Sequence, residues 1–303
     1  MKTDTICIML IGLIICFSCG NLSQLKKAKN TIDKQGHRGC RGLMPENTIP
    51  AFIKAVDLGV NTLEMDLVIT NDNKVLVSHE PFFNHEITTL PNGEWVLESN
   101  EKELNIYKMP YSEVIKYDVG LKTHPRFPNQ FKMKVHKPLL SEVIDSVEIY
   151  AIENRKSPLY YNIETKTTPE TDGIFHPEPK EFVDLMMRVI FEKKIENRVI
   201  IQSFDIRTLH YLHQKHPEIK TALLVEEIDK REFFKQIEDL GFDPTIYSPA
   251  QNLVTPKLVK ECKSKGVKLI PWTVNDLKSV NNLKKMGVDG IISDYPNLFF
   301  EKK

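Results

Sequence analysis

From residue 31 onward, short β-branched or apolar runs alternate with longer stretches of helical period, and this alternation restricts the chain to very few folds. Runs at 32–35, 62–69, 159–164, 198–202, 221–225, 245–247, 268–272 and 290–293 have the composition of strands. Stretches at 48–58, 141–154, 181–194, 206–216, 231–240, 256–265 and 277–286 have the period of helices. Gly59, Gly241, Gly266 and Gly287 stand just past four of them, where a left-handed residue ends a helix. Strands separated by helices must pair in parallel, and eight of them are enough to close a ring. The pattern therefore predicts an α/β fold, a (β/α)8 TIM barrel. An open doubly wound sheet is the other arrangement of the same units, but no glycine-rich nucleotide loop supports it.

Composition agrees and excludes several classes. The chain has 303 residues, 41% hydrophobic and 27% charged, as in an ordinary globular protein, and a barrel domain of about 250 residues fits within it. Its 41 basic and 41 acidic residues leave no net charge, which argues against a nucleic-acid partner bound through many phosphates. Five cysteines are too few for a disulfide scaffold, and Cys7, Cys16 and Cys19 fall within the first twenty residues. There, 6–17 is an apolar run too short to span a bilayer but long enough for a signal-peptide core. It ends in Cys16-Phe17-Ser18-Cys19-Gly20, which resembles a bacterial lipoprotein cleavage box with Cys16 in place of the usual Leu-like residue. The expected organisation is a signal peptide (1–18), a lipid-anchored tether (19–31) beginning at lipidated Cys19, and a barrel domain (32–303). An exported bacterial lipoprotein follows, periplasm-facing or anchored in the outer membrane.

One long stretch breaks the alternation. Between His79 and Pro138 no helical period is visible, and Pro81, Pro91, Pro110, Pro125 and Pro128 interrupt it. Its aromatic residues (Phe82, Phe83, Trp95, Tyr107, Tyr111) indicate a folded excursion, read as an insertion (80–138) after the second barrel strand, placed to cover a catalytic mouth. A shorter Pro-rich loop at 167–179 follows the third strand.

Chemistry concentrates at strand ends. In Thr62-Leu63-Glu64-Met65-Asp66-Leu67 alternation puts Glu64 and Asp66 on one face. Two buried carboxylates together need a cation or a proton, whereas on an edge strand they need only water. Glu164, in a second strand-like run, adds a third acid. An all-oxygen set of this kind suits Mg²⁺ or Ca²⁺ better than zinc. Lys166 shares the face of Glu164, either as a phosphate contact or as a structural ion pair. His37 and His79 each follow an apolar run, at the strand ends where barrels carry catalytic groups. Two imidazoles can serve as general base and acid, and Arg38 can grip a phosphoryl group bidentately. Most of the nine histidines read as packing residues. His210, His213 and His216 have metal-like helical spacing but lie on what reads as a surface helix.

Taken in order, Gly36-His37-Arg38-Gly39, Pro45-Glu46-Asn47-Thr48, Glu64-Met65-Asp66, His79, Glu164-Thr165-Lys166, Trp272-Thr273-Val274-Asn275 and the 287–296 segment resemble the glycerophosphodiester phosphodiesterases, from about Gln35 to Pro296. The resemblance implies a barrel that uses one divalent metal to cleave glycerophosphodiesters to sn-glycerol 3-phosphate and an alcohol. It implies Glu64, Asp66 and Glu164 as metal ligands and His37 and His79 as the acid/base pair. It further implies Arg38 and Lys166 as phosphate contacts and Trp272 as the wall beside the glycerol carbons. Asn47 or Thr48 can cap the following helix, and Glu46 and Asn47 can instead brace the site. Two positions depart from the family pattern: Glu80 stands where Asp is usual, and Cys40, read as a packing residue, follows the His-Arg-Gly turn. The expected partners are a small-molecule glycerophosphodiester and, through the anchor, a membrane. Rival readings are lysophospholipase D-like action on lysophospholipids, a non-catalytic surface lipoprotein that binds polyol phosphates, and a glycosidase. The glycosidase would need acids at strand ends that instead read Gln202-Ser203-Phe204 and Trp272-Thr273-Val274.

Overall fold

The computed structural model describes residues 32–154 and 156–301, so the signal peptide, Cys19 and the tether lie outside the described residues. The strands are β1 (Asp33–Gly36), β2 (Thr62–Ile69), β3 (Val75–Val77), β4 (Tyr160–Thr165), β5 (Val199–Ser203), β6 (Lys220–Val225), β7 (Ile246–Pro249), β8 (Lys268–Leu269) and β9 (Gly290–Ser293). The helices are α1 (Ile49–Leu58), α2 (Tyr111–Val114), α3 (Leu140–Glu153), α4 (Pro179–Glu192), α5 (Ile206–Lys215), α6 (Phe233–Leu240), α7 (Pro256–Lys265) and α8 (Leu277–Met286). Eight strands pair in parallel in the order β8-β7-β6-β5-β4-β2-β1-β9. Asp289 N donates to Leu269 O (2.9 Å) and Ile292 N to Pro271 O (3.0 Å), which joins the two ends into a nearly closed barrel.

Three elements differ from the sequence expectation, each for a local reason. The strand expected over 268–272 stops at Leu269, because Pro271 has no N–H for a ladder. Trp272 lies beyond it, bridged to Ala250. The helix expected from 231 begins at Phe233; Arg231 is drawn instead to Asp229 and Asp239. His79 does not close a barrel strand. The run before it, β3, pairs antiparallel with β2 (Leu67 with Val77), and the hairpin folds the chain back so that Ser78 N bonds Asp66 O at 2.9 Å.

Each strand buries both faces differently. Leu63, Met65, Leu67, Tyr161, Ile163 and Ile201 pack outward against α1, α3 and α4 in one large cluster. Inside the ring, Ile200, Ala222, Ile246, Ile270 and Ile292 fill one part. The part between β1 and β5 is polar: Asn162 Nδ2 donates to Gln35 Oε1 (2.8 Å) and to Gln202 Oε1 (2.9 Å). Residues 79–138 hold one α-helical turn, α2, and two 3₁₀ turns, and pack Phe83, Ile87 and Ile106 against Val68 of β2 and Leu76 of β3 in a separate small core.

α1 starts where Thr48 Oγ1 accepts from Ala51 N, has Pro50 in its first turn, and stops at Gly59 (φ 86°). Cys40 is buried beneath it, its thiol donating to Ala51 O, and burial pushes that thiol up to about 12. His210 and His213 pack at the α5–α6 junction, the first on Leu240 O (2.5 Å) and the second stacked on Phe242 at 3.9 Å. Phe52, fully buried on α1, joins that helix to the barrel wall. Phe52→Ala should therefore lower unfolding free energy by about 3–5 kcal/mol in a denaturant titration.

Candidate active site

The pairing of β2 with β4 sets Asp66 beside Glu164 and Glu64 beside Asn162. Strand alternation then turns Glu64, Asp66 and Glu164 into the barrel, where one carboxylate oxygen from each lies within 4.8 Å of the others, all three residues buried. Burial and the charge of Asp66 push Glu64 well above the usual carboxylate range. Burial likewise raises Glu164, against the pull of Lys166. Burial works on Asp66 too, but Arg38, His79 and Lys166 outweigh it and hold this carboxyl below its ordinary value. Asp66 Oδ2 accepts from Asn47 Nδ2 at 2.8 Å, while its buried Oδ1 has no hydrogen-bond partner.

The turn after β1 brings a histidine and an arginine to these acids. A side chain at Gly36 would meet Gly39 O at 2.1 Å, and Arg38 and Gly39 have φ of 48° and 83°, so the turn requires glycine at its ends. Arg38 N donates to Glu64 Oε2 at 2.8 Å. The Arg38 guanidinium donates to Glu46 Oε1 (2.8 Å) and stands 3.3 Å from Asp66 Oδ2.

His37 Nδ1 lies 2.6 Å from Asp294 Oδ1. Asp294 also accepts from Arg41 Nε (3.0 Å) and Asn275 Nδ2 (2.7 Å); despite burial, His37 and Arg41 hold its carboxyl below the ordinary range. An ionised carboxylate only accepts, so Nδ1 carries the proton and Nε2 keeps a free lone pair, 3.9 Å from Glu64 Oε2. Burial lowers His37 to about 4 in spite of Asp294. His79 Nδ1 lies 2.7 Å from Glu80 Oε1, and its Nε2 is 3.2 Å from Lys166 Nζ. An ammonium only donates, so Nε2 accepts and Nδ1–H goes to Glu80. The longer acid thus orients its histidine at the position where the family pattern has Asp. Burial lowers His79 below the ordinary imidazole range, aided by Arg38 and Lys166. Lys166 Nζ donates to Glu164 Oε1 at 2.6 Å.

These groups face one cavity of about 360 Å³ at the carboxyl ends of the strands, lined by His37, Arg38, Glu64, His79, Glu164, Lys166 and Trp272 among others. The Trp272 indole donates to Ser248 O (2.8 Å) and meets the edge of Phe204 at 5.6 Å. Every residue nominated from the sequence, Cys19 excepted, is brought to this region. Thr48, not Asn47, caps α1, and Glu46 and Asn47 do brace the site. Sequence reasoning passed over Asp294, Arg41 and Gln202, which donates to Glu64 Oε1 at 2.9 Å. The signal for Asp294 was its place just after a barrel strand, the same argument that singled out His37.

Comparison with known proteins bears on the same residues. The family model described as "Glycerophosphoryl diester phosphodiesterase family" matches residues 37–298. The chain belongs to this family. A glycerophosphodiester phosphodiesterase of Caldanaerobacter subterraneus subsp. tengcongensis is 29% identical over 262 residues, covering 86% of this chain and 93% of the relative. A solved Silicibacter pomeroyi DSS-3 structure, assigned as a glycerophosphoryl diester phosphodiesterase, is 28% identical with a TM-score of 0.79, covering 89% of this chain and 92% of that one. A phosphodiesterase of Oleispira antarctica, solved with the product sn-glycerol-3-phosphate, shares the fold at 21% identity and TM-score 0.69, over 89% of this chain and 96% of that one.

The carboxylates fit a hard cation. Three oxygen donors converge, two of them raised by burial and mutual repulsion, and Asp66 Oδ1 has a vacant lone pair. The site can therefore hold a divalent cation. Because Glu64 and Glu164 sit above the carboxylate value of 4.5, ion binding must displace protons, and affinity should rise with pH above that value. At about a hundred times its dissociation constant the ion should stabilise the protein by about 2.7 kcal/mol in a thermal melt. Glu64→Gln should melt like the wild type without the ion and lose that gain.

Proposed function

We propose that this chain hydrolyses glycerophosphodiesters to sn-glycerol 3-phosphate and an alcohol, by acid–base catalysis at His37 and His79 beside a divalent cation held by Glu64, Asp66 and Glu164. The observation that carries the reading is the meeting, in one cavity, of a three-carboxylate cluster with two histidines that each have a carboxylate of their own. The named activity of the relatives supports it. When bound, Ca²⁺ or Mg²⁺ supplies positive charge that polarises a phosphoryl oxygen and lowers the pKa of a nearby hydroxyl.

The protein's own groups do the rest. Lys166 and Arg38 offer cationic donors to the phosphate, at the cost of loosening their contacts to Glu164 and Glu46. The flat face of Trp272 supports the glycerol carbons. His37, neutral with Nε2 bare, takes the proton of the attacking oxygen; Asp294 stabilises the imidazolium that forms. His79, steadied by Glu80, delivers a proton through Nε2 to the leaving alkoxide. Burial and, after it, the positive field of Arg38 and Lys166 lower His79; a phosphate beside Lys166 offsets that field, so substrate binding raises this imidazole toward its protonated form.

We further propose that residues 1–18 direct export and that Cys19 carries lipid, with 19–31 as the tether, which would anchor the enzyme beside a lipid surface. The apolar run and the cleavage-box pattern support this. No helix among the described residues is long and apolar enough to cross a membrane. Cys19→Ser should move the protein from the membrane fraction to the soluble one.

The enzymatic reading is tested with glycerophosphocholine as substrate and release of glycerol 3-phosphate as readout. His37→Ala and His79→Ala should each lower kcat about 10²–10⁴-fold, and chelation should abolish turnover until Ca²⁺ or Mg²⁺ is restored. Activity should fall on the acid side as His37 protonates. Turnover that survives complete removal of metal would contradict the assignment.

A further inference from the structure

A second cavity of about 310 Å³ adjoins the first and has no part in the chemistry above. The two share Glu164, Lys166 and Phe204 in their walls, whereas Trp272 lines only the first. The additional wall is carbon-rich: Pro81 and Phe82 from the segment after β3, and Phe175 from the loop after β4, with the Phe82 and Phe175 rings 5.9 Å apart. This wall is built and not incidental. Buried Asn105 donates to Ile174 O at 2.8 Å and is bridged to Phe82, which fastens the two loops together.

The polar groups present are committed or cationic. His176 is buried, with Nε2 engaged by Thr171 Oγ1 (2.7 Å) and Thr168 N (3.1 Å) and Nδ1 by Pro177 O (2.9 Å). Lys166 and Lys102 carry positive charge into the lining, and the acid there, Glu164, is paired with Lys166. An aromatic pocket without lysines would suit a quaternary ammonium group. This one repels a cation, and of its two ammonium groups Lys166 is already engaged by Glu164 and, on the proposed function, by the phosphate.

The geometry points to a subsite for an uncharged alkyl chain on the leaving-alcohol side of the phosphorus. This rests on the phosphodiesterase reading, with glycerol on Trp272, and names the alcohol that it favours. A chain leaving the phosphate past Lys166 enters the second cavity, where Phe82, Phe175 and Phe204 bury its methylenes. The donors that hold the phosphate need not move, so the chain adds binding without altering the chemistry.

The test is a comparison of sn-glycero-3-phosphomethanol, sn-glycero-3-phospho-octanol, glycerophosphocholine and 1-octyl-sn-glycero-3-phosphocholine with the metal-loaded enzyme. The octanol ester should exceed the methanol ester in kcat/KM by at least about tenfold. Phe82→Ala/Phe175→Ala should reduce that advantage below about threefold while turnover of the methanol ester and glycerophosphocholine is kept, which also reports that the variant is folded. Phe82→Leu, which stays apolar, should retain most of it. Equal kcat/KM for the two esters, or an advantage that survives the double substitution, would overturn the subsite. A Phe82-dependent gain for 1-octyl-sn-glycero-3-phosphocholine in place of the octanol ester would put the chain on the glycerol side and overturn the assignment of side. Failure of the wild type on every one of these diesters would remove the parent reading, a result distinct from both.

Discussion

Mutual repulsion among Glu64, Asp66 and Glu164 is the constraint around which the barrel mouth is organised. Three buried acids converge, and such a cluster persists only with compensating charge. The surrounding residues provide part of it. Lys166 and Arg38 approach from opposite elements, the Arg38 amide and Gln202 bond Glu64, and Asn47 bonds Asp66. What these donors leave unanswered is the lone pair on Asp66 Oδ1 and the raised affinity of two glutamates for protons. The site is thus preorganised for a positive ion even when none is bound.

Around that cluster the polar network is layered. Each histidine is bound through Nδ1 to a carboxylate, which fixes its tautomer and turns Nε2 away from that carboxylate, bare in His37 and accepting from Lys166 in His79. Asp294 is itself held by Arg41 and Asn275, and Glu46, which receives the Arg38 guanidinium, lies near Arg41 and His124. Support of this kind would keep the two imidazoles within the tolerance that the proposed proton transfer demands. The β2–β3 hairpin serves the same end by returning His79 to the depth of Asp66.

Much of this could be read from the chain. Alternation along 62–67 and a third acid at 164 were enough to place three carboxylates inside a barrel, because strand period translates directly into side-chain direction. What could not be read were the contacts between distant segments. Gln202 counted only as the absence of an acid, and nothing local ties position 202 to position 64. Asp294 lies 257 residues from His37, and only ring closure makes them neighbours. The sequence reads His79 as closing a barrel strand, whereas it follows an antiparallel one. An apolar run of three residues carries no mark of its direction, and that depends on where the hairpin turns. The segment after β3 was legible as folded from its aromatics, yet its fastening to the loop after β4, through the Asn105 side chain and the Phe82–Phe175 contact, was not.

Ring closure has a further consequence. His37 follows β1 and its carboxylate partner Asp294 follows β9, so their contact is assembled only when the two ends of the sheet have been brought together. A nascent or truncated chain ending before residue 294 would present an untethered imidazole in a ring with an open seam. Under the proposed function, catalytic competence in this architecture is a late event of folding.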